Sequence, residues 1–141
     1  MSVQMVLLPV FVQVGLTFAL LLGMVFSRRH ALVSGETKIR DIALREPNWP
    51  KRATQFGYAF ANQFELPVLF YVLTILVIIT RHADLLFVLL AWIFVLMRVL
   101  QAVVHVTNNN VRMRGAYYGV GALILFIMWI IYIVRIILAL P

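Results

Sequence analysis

At 141 residues, the chain is 64% hydrophobic and only 12% charged, whereas about 25% of the residues of a soluble domain are charged. This composition excludes an ordinary soluble domain and indicates a single integral membrane domain. The absence of cysteine excludes a disulfide framework, a thiol nucleophile and a thiolate metal site. The three histidines lie too far apart for local metal spacing, so we predict no metal. The basic residues that give the net charge of +7 follow a membrane pattern, so we predict no nucleic-acid partner.

The first apolar stretch runs from Val3 to Phe26 and is followed directly by two arginines. A secretory signal peptide has its positive charge before the apolar region. Because the order is reversed here, we predict a retained membrane-spanning helix over about residues 3–26.

Residues 27–55 form the only long polar segment and hold seven of the twelve basic residues against three acids. We predict that this segment is a basic cytoplasmic loop that fixes orientation and contacts anionic membrane lipids. It has room for a short interfacial helix. Arg28 and Arg29 differ from the other cations of the loop because they lie at the mouth of the helix bundle, where they become candidate ligand-binding residues.

The second helix is predicted over about residues 56–80 and carries Asn62, Glu65 and Pro67 inside an otherwise apolar run. An ionisable side chain at membrane depth is costly and usually faces a protein interior or a wet cavity. Pro67 leaves the carbonyl of Gln63 without its usual helical donor, so we predict a kink beside Glu65.

The third helix is predicted over about residues 85–107. It carries three polar residues at spacings of three and four: Arg98, Gln101 and His105. Residues with these spacings share one face of a helix. The second helix has the reverse spacing, at Tyr58, Asn62 and Glu65.

If the two helices are antiparallel, the two triplets lie opposite each other in three layers. The layers pair Glu65 with Arg98, Asn62 with Gln101, and Tyr58 with His105. Glu65 and Arg98 both fall roughly 13 Å from the cytoplasmic helix ends at 1.5 Å per residue. Arginine stays protonated and needs a partner or water at that depth. We therefore predict that Glu65 and Arg98 touch within hydrogen-bonding range and that the seam lines a ligand site. The alternative is an ion pair that only locks the packing of the helices.

The fourth helix is predicted over about residues 116–140. The fold class is then an all-α integral membrane protein, a four-transmembrane-helix bundle. Two loops on one side of the membrane hold nine Lys and Arg residues, whereas the loop on the other side holds only Arg81. By the positive-inside rule, the basic loops face the cytoplasm and both termini face the periplasm of a bacterial inner membrane.

The second helix carries Asn62 and Glu65, the third carries Arg98, and basic residues follow the third helix. This arrangement resembles that of the MAPEG superfamily, the membrane-associated proteins of eicosanoid and glutathione metabolism. The stretches ANQFELPVLFY and TNNNVRMRG are similar to a little-characterised bacterial branch of that superfamily. The resemblance implies a homotrimer of four-helix protomers. It also implies that glutathione binds between protomers near the cytoplasmic side, with its thiolate stabilised by an arginine or a hydroxyl.

Carried over by position, the resemblance implies that Asn62 and Glu65 contact the glutathione backbone and that Arg98 braces the pocket. It implies that Arg28 or Arg29 meets a carboxylate of the ligand. Tyr58 and Gln101 complete the predicted ligand-binding set.

Three residues are the predicted catalytic set: Arg112, Arg114 and His105. Arg112 or Arg114 matches the family arginine that lowers the pKa of the thiol and so favours the thiolate. The chain departs from the family pattern at four positions, where arginine, tyrosine, histidine and tyrosine are replaced by Tyr58, Leu66, Gln101 and His105. His105 can donate a hydrogen bond in place of the tyrosine.

Two classes of function remain. The first is a glutathione-dependent transferase or peroxidase that acts on lipophilic electrophiles entering from the bilayer. The second is a non-enzymatic trimer that binds a lipid or small anion, or serves as an accessory subunit of another membrane protein. A proton-coupled exporter with Glu65 as the carrier is disfavoured, because Arg98 at equal depth would keep Glu65 ionised.

Overall fold

The computed structural model describes all 141 residues and contains four helical spans long and apolar enough to cross a membrane. The first span is α1 (Val3–Ser34), the third is α5 (Leu85–Val106) and the fourth is α6 (Val111–Ile137). The second span is made of α3 (Lys51–Ala61), a 3-10 turn (Asn62–Phe64) and α4 (Leu66–Ile79). A one-turn helix, α2 (Ile39–Ile42), lies in the loop between α1 and α3. The predicted four-helix bundle is therefore confirmed.

The polar loop is shorter than predicted, because residues 27–55 are helical at both ends. α1 continues past Phe26 to Ser34, through Arg, His, Ala and Leu residues that tolerate or favour a helix. It ends where Gly35 adopts a left-handed conformation with φ of 82°, a conformation that glycine reaches at little cost. The second span begins at Lys51 rather than near residue 56.

Side-chain caps set the starts of the last two helices. Asp84 accepts a hydrogen bond from the backbone N–H of Phe87 at 2.9 Å and caps α5. Asn110 accepts from the N–H of Met113 at 3.2 Å and caps α6. Such caps satisfy donors that have no partner inside the helix. Because of the second cap, α6 begins at Val111 rather than at the predicted residue 116.

The predicted kink at Pro67 is confirmed and is a complete break. A 3-10 turn follows α3, and Glu65 takes φ and ψ of −98° and −104° before α4 begins. Pro67 lies in the first turn of α4, where a missing N–H costs no helical hydrogen bond. The buried Gln63 side chain supports the break, because its Nε2 donates to the Ala59 carbonyl at 2.9 Å and its Oε1 accepts from Nε2 of Gln13 in α1 at 2.8 Å.

The core lies along α5, which packs against α6, α1 and α3. Ala91 and Phe94 of α5 are fully buried and meet Phe70 and Leu73 of α4 in the main cluster. The rings of Phe70 and Phe94 lie 5.0 Å apart between centroids. The outward faces of α1, α4 and α6 expose many large apolar side chains, as expected of spans surrounded by lipid or by other helices.

The bundle has two polar ends. The basic end comprises the loop between α1 and α3 and the turn of residues 107–110 between α5 and α6. The terminal end comprises the two chain termini and the turn of residues 80–84 between α4 and α5. The break in the second span and the polar seam face the basic end.

Candidate functional site

A polar cavity opens at the basic end between α3, α5 and the start of α6. Four residues of the predicted seam line it: Tyr58, Asn62, Gln101 and His105. Arg114 and Tyr118 of α6 complete its polar lining, and its volume is about 380 Å³. We call this space the inner cavity. The structure thus brings four of the six seam residues together, with two further residues from α6.

Arg98 is fully buried, at 0% exposure, and contacts two residues that line the inner cavity. Its Nη2 donates to the backbone carbonyl of Asn62 at 3.1 Å. Its guanidinium carbon lies 5.5 Å from the centre of the Tyr118 ring, within the range of a cation–π interaction. Its Nε and Nη1 have no hydrogen-bond partner in the protomer. Arg98 is therefore held by a carbonyl and an aromatic ring, and two of its three guanidinium nitrogens have no hydrogen-bond partner.

The predicted contact between Glu65 and Arg98 is wrong. Glu65 is exposed, and the only ion pair of the protomer joins Arg135 to Asp84. The cause is the break before Pro67, because the chain leaves α-helical geometry at Asn62 and turns Glu65 off the face that its spacing assigned to it. The carbonyl of Asn62 takes the position beside Arg98 that the carboxylate was expected to fill.

The other two layers form without direct hydrogen bonds. Asn62 and Gln101, and likewise Tyr58 and His105, line the inner cavity from opposite helices. Gln101 and His105 are buried, and Oε1 of Gln101 and Nδ1 of His105 have no hydrogen-bond partner. Buried polar atoms are seldom left without a partner. Both residues line the inner cavity, which therefore offers an amide and an imidazole to a polar ligand.

The end of α5 is held in place by a glutamine from α3. Nε2 of Gln55 donates to the carbonyls of His105 and Thr107 at 3.2 and 3.4 Å. These carbonyls belong to the last turn of the helix, which lacks intrahelical donors. The bond fixes the backbone that carries His105 relative to the helix that carries Tyr58.

Of the two candidate arginines after the third span, only Arg114 faces the site. Its Nη1 donates to Oδ1 of Asn109 at 2.7 Å, and the residue lines the inner cavity half-buried. Arg112 is exposed and does not line this cavity. Residues two apart on a helix point to different sides, and Asn110 fixes the start of α6 and hence the register.

A second cavity of about 540 Å³ lies beside the first, beneath the loop between α1 and α3. We call it the outer cavity. Tyr58 lines both cavities, and Arg28, Trp49, Arg45 and Glu46 line the outer one. The Tyr58 side chain, which is 59% exposed, is the wall that the two cavities share.

Arg28 stretches across α3 into the outer cavity. Its guanidinium lies 4.9 Å from the centre of the Trp49 ring, and its Nε has no hydrogen-bond partner. A Cβ on Gly57 would lie 3.4 Å from Nη2 of Arg28, so glycine at that position gives the side chain room. Arg29 is exposed and lines neither cavity.

The sequence reasoning missed three features of the site. Tyr118 lies four residues after Arg114, and this spacing places both residues on one helix face. The spacing alone is therefore sufficient to predict that Tyr118 lies beside Arg114. The buried pair of Gln13 and Gln63 carried a weaker signal, an amide inside an apolar run. No signal in the sequence placed Trp49 over Arg28, because that contact joins a loop to a helix.

The electrostatics of the two cavities favour an anion. The charged group that lines the inner cavity is Arg114, and no carboxylate lines it. Arg98 adds a second positive charge behind Asn62 and Tyr118. The outer cavity adds Arg28 and Arg45 against the single carboxylate of Glu46. The lining also offers neutral donors and acceptors, so the site suits a polar ligand with net negative charge.

Comparison with known families gives one match: a model described as the MAPEG family covers residues 6–134. That range covers the second and third spans completely and all but the outermost three residues of the first and fourth, and it includes every residue of the inner and outer cavities. Comparison with curated proteins and with solved structures gives no match.

Proposed function

We propose that this chain, which belongs to the MAPEG family, is a glutathione-dependent transferase or peroxidase that acts on lipophilic electrophiles entering from the membrane. The supporting observation is that three arginines at or beside the two cavities, Arg28, Arg98 and Arg114, have no carboxylate partner. Guanidinium groups bind carboxylates through strong, charge-assisted hydrogen bonds. Cations held in a concave site without acids of their own are suited to an anionic ligand.

Glutathione offers groups that fit the residues lining the two cavities. It is a tripeptide with two carboxylates, an amine and a thiol. The guanidinium groups of Arg28 and Arg114 suit the carboxylates, and the side-chain amides of Asn62 and Gln101 suit the amine and the peptide groups. The volumes of about 380 and 540 Å³ match those of small-molecule sites, roughly 300–1,000 Å³.

The inner cavity holds the residues that would act on the thiol. The bound thiol would supply the nucleophile as a thiolate. The positive charge of Arg114 favours that ionised form by lowering the thiol pKa. His105 and Tyr118 present a ring nitrogen and a hydroxyl as hydrogen-bond donors to a developing negative charge. A neighbouring protomer that covers the exposed side of Tyr58 would limit access of bulk water.

We also propose a homotrimer in a bacterial inner membrane, with the basic end cytoplasmic and both termini periplasmic. The orientation rests on the nine cations of the basic loops against the single Arg81 of the opposite loop. Assembly is supported by the exposed apolar side chains of α1 and α6, such as Phe18 and Phe126. Membrane lipids would cover the rest of the apolar surface. The exposed side of Tyr58 is where a neighbouring protomer would close the cavities.

A second candidate function is binding of a lipid or small anion without turnover, as a trimer or as an accessory subunit. It is favoured by Tyr58, which stands where the family pattern has arginine and so removes one cation from the shared wall of the two cavities. The exposed position of Glu65 points the same way, because that carboxylate does not line the inner cavity.

Turnover with a matched pair of arginine variants tests the proposal. We expect purified protein to conjugate glutathione to 1-chloro-2,4-dinitrobenzene. Arg114→Gln should lower kcat/KM by about 10- to 100-fold, the value of one charged hydrogen bond of about 1.5–3 kcal/mol. Arg112→Gln removes the same charge two residues away, outside the inner cavity, and should change kcat/KM less than about twofold.

Equal losses in the two variants would mean that the charge acts at long range rather than within the cavity. Wild-type protein that binds glutathione without conjugation or peroxide reduction would leave the non-enzymatic function in place.

A further inference from the structure

A third cavity lies on the other face of α1 and α3, away from the proposed glutathione site. Its volume is about 490 Å³, and it shares no lining residue with the inner or outer cavity. On α1 its lining residues have the spacing of a single helix face: Gly23, Phe26, Ser27 and His30. We call it the lateral cavity.

The lateral cavity is apolar at one end and charged at the other. Gly23, Phe26 and Phe56 line the apolar end, and a Cβ on Gly23 would collide with the Phe56 ring. Glycine therefore lets the two helices approach closely at the base of the cavity. Gly23 and His30 are about 10 Å apart along the helix at 1.5 Å per residue. The cavity thus extends from the apolar part of the span into the polar segment at the basic end.

The charged end contains opposite charges that do not pair with each other. Glu36 and Arg52 both line the cavity, but neither takes part in an ion pair. The guanidinium of Arg52 lies 5.8 Å from the centre of the Phe56 ring, which fixes it beside the apolar end. His30 adds an imidazole to the same rim.

The backbone around Glu36 is anchored by the chain reversal at the end of α1. The N–H of Gly35 donates to the Leu32 carbonyl at 3.4 Å, and the N–H of Thr37 donates to the Ala31 carbonyl at 3.2 Å. Thr37 is buried, and its hydroxyl donates to the Asn48 carbonyl at 3.1 Å. The segment that carries Glu36 is therefore tied to the rim of the cavity.

We propose that the lateral cavity binds a phospholipid whose headgroup carries a phosphate and a primary amine, that is, a phosphatidylethanolamine. The phosphate would accept hydrogen bonds from Arg52 and His30, and the ammonium group would donate to Glu36. The acyl chains would lie along Phe26 and Phe56. The cavity has a cationic and an anionic side chain next to an apolar end, at the boundary of a membrane span. A phosphatidylethanolamine has the same arrangement, with a phosphate and an ammonium group next to its apolar tails. This site is independent of the proposed glutathione chemistry.

Native mass spectrometry of the full, delipidated chain in detergent tests the assignment with three dioleoyl lipids. Phosphatidylethanolamine should bind more tightly than phosphatidylcholine, whose ammonium has no N–H, and than phosphatidylglycerol, which has no amine. Glu36→Gln should weaken phosphatidylethanolamine binding roughly tenfold and leave phosphatidylglycerol binding unchanged. Retained phosphatidylglycerol binding also shows that the variant is folded.

A matched pair of cation variants separates the cavity from the general surface charge. Arg52→Gln should weaken all three lipids roughly tenfold. Lys51→Gln removes the same charge next to it, at a residue that does not line the cavity, and should have less than about a twofold effect. Equal binding of the three lipids, or equal effects of the two variants, would overturn the proposal.

A second copy of the chain is the competing occupant. Because the protein has no cysteine, Ser27→Cys and Lys51→Cys can each be labelled with a thiol reagent as the only thiol. Ser27 lines the lateral cavity but has no role in the proposed headgroup contacts. In the delipidated protein we expect both thiols to react, and phosphatidylethanolamine should protect only Ser27→Cys. A Ser27→Cys thiol that is blocked without lipid, while Lys51→Cys reacts, would place a second copy on the cavity and overturn the lipid assignment.

Discussion

The two polar ends of the bundle use arginine in opposite ways. At the terminal end, Nη2 of Arg135 lies 2.7 Å from Oδ2 of Asp84, and the cavity beside this pair holds only about 20 Å³. At the basic end, Arg28 and Arg114 have no carboxylate partner and line cavities of about 540 and 380 Å³, and Arg98 is buried behind the smaller cavity, also without a carboxylate partner. At the terminal end the arginine is paired with a carboxylate of the protomer, whereas at the basic end unpaired arginines lie at or beside the cavities.

The difference separates a structural cation from one available to a ligand. The Arg135–Asp84 pair joins α6 to the start of α5 and needs nothing from outside the protomer. Arg98 is more deeply buried than Arg135 but has two unpartnered nitrogens. Burying a charge without a partner costs several kcal/mol, so Arg98 carries an electrostatic cost inside the protomer. Arg28 and Arg114 line the cavities and are the cations open to a ligand.

Replacing Arg98 by a similar-sized apolar residue should give the largest effect. Arg98→Met removes a buried charge that lacks a carboxylate, so the free energy of unfolding should rise by about 1–4 kcal/mol. The same change should weaken glutathione binding, because Arg98 positions Asn62 and Tyr118 at the inner cavity. Chemical or thermal unfolding in detergent, followed by circular dichroism, measures the first effect.

Arg135→Met is the matched control at the terminal end. It breaks a pair whose side chains are 23% and 39% exposed, so water can hydrate the remaining Asp84. The free energy of unfolding should fall by about 0.2–1 kcal/mol. Opposite signs for the two variants would support the distinction between the two ends; a large loss of stability in Arg98→Met would show that Arg98 is structural.

Adding a cation to the wall shared by the two cavities should sharpen the contrast. Tyr58→Arg introduces a positive charge on this wall. It should tighten glutathione binding by one charged hydrogen bond, about 1.5–3 kcal/mol, or roughly tenfold or more. Tyr132→Arg, at the terminal end, adds the same charge beside the cavity of Arg135 and should not change glutathione affinity. Unchanged glutathione affinity in Tyr58→Arg would mean that the ligand does not contact the wall at residue 58.

The terminal pair should give a small effect that depends on pH. Partial burial alone would raise the pKa of Asp84, but the hydrogen bond from the N–H of Phe87 and the Arg135 guanidinium outweigh it and hold the pKa below its ordinary value of 3.8. A carboxylate with a lowered pKa adds stability that is present above about pH 4 and is lost as pH falls through the folded-state pKa.

Asp84→Asn keeps the cap of α5 and removes the charge. Its melting temperature should lie slightly below that of wild type at pH 7, by an amount equivalent to about 0.2–1 kcal/mol. The difference should shrink below about pH 4 as the wild-type carboxyl is protonated. A difference that is constant from pH 7 to pH 3 would rule out the ion pair as its source.

The sequence was sufficient to predict the existence of four spans and two of the three layers of the polar seam, but not the layer of Glu65 and Arg98. Runs of about 20 apolar residues indicate membrane helices without reference to packing. Tyr58, Asn62, Gln101 and His105 were found from helical spacing alone, and spacing is a local property of the chain. Their common cavity follows from the antiparallel arrangement of two neighbouring helices.

Glu65 shows where that reasoning stops. Helical spacing assigned it to the same face as Asn62, but Pro67 ends the helix between them and turns the carboxylate outward. Proline predicts that a helix is disturbed, whereas the direction of the chain after the break depends on packing. Here the direction is set by Gln63 and its partner Gln13 on another helix, a contact fifty residues away in sequence.

The choice between Arg112 and Arg114 was unresolved for a related reason. The register of α6 depends on where it starts, and the Asn110 cap makes it start at Val111, five residues before the predicted start at residue 116. A polar run of three asparagines offered several caps of similar quality. Tertiary structure selects one of them, and that choice places Arg114 on the cavity.

The most direct test of the central claim, that the unpaired arginines of the basic end bind an anionic thiol, is isothermal titration calorimetry of glutathione into purified wild-type protein. At millimolar glutathione we expect saturable binding that weakens as salt rises, since charged contacts at an open site are screened. Arg114→Gln should lose most of the heat and Arg135→Gln none of it. The absence of binding heat in wild type and in Tyr58→Arg, measured at two temperatures, would contradict the claim and end the glutathione assignment.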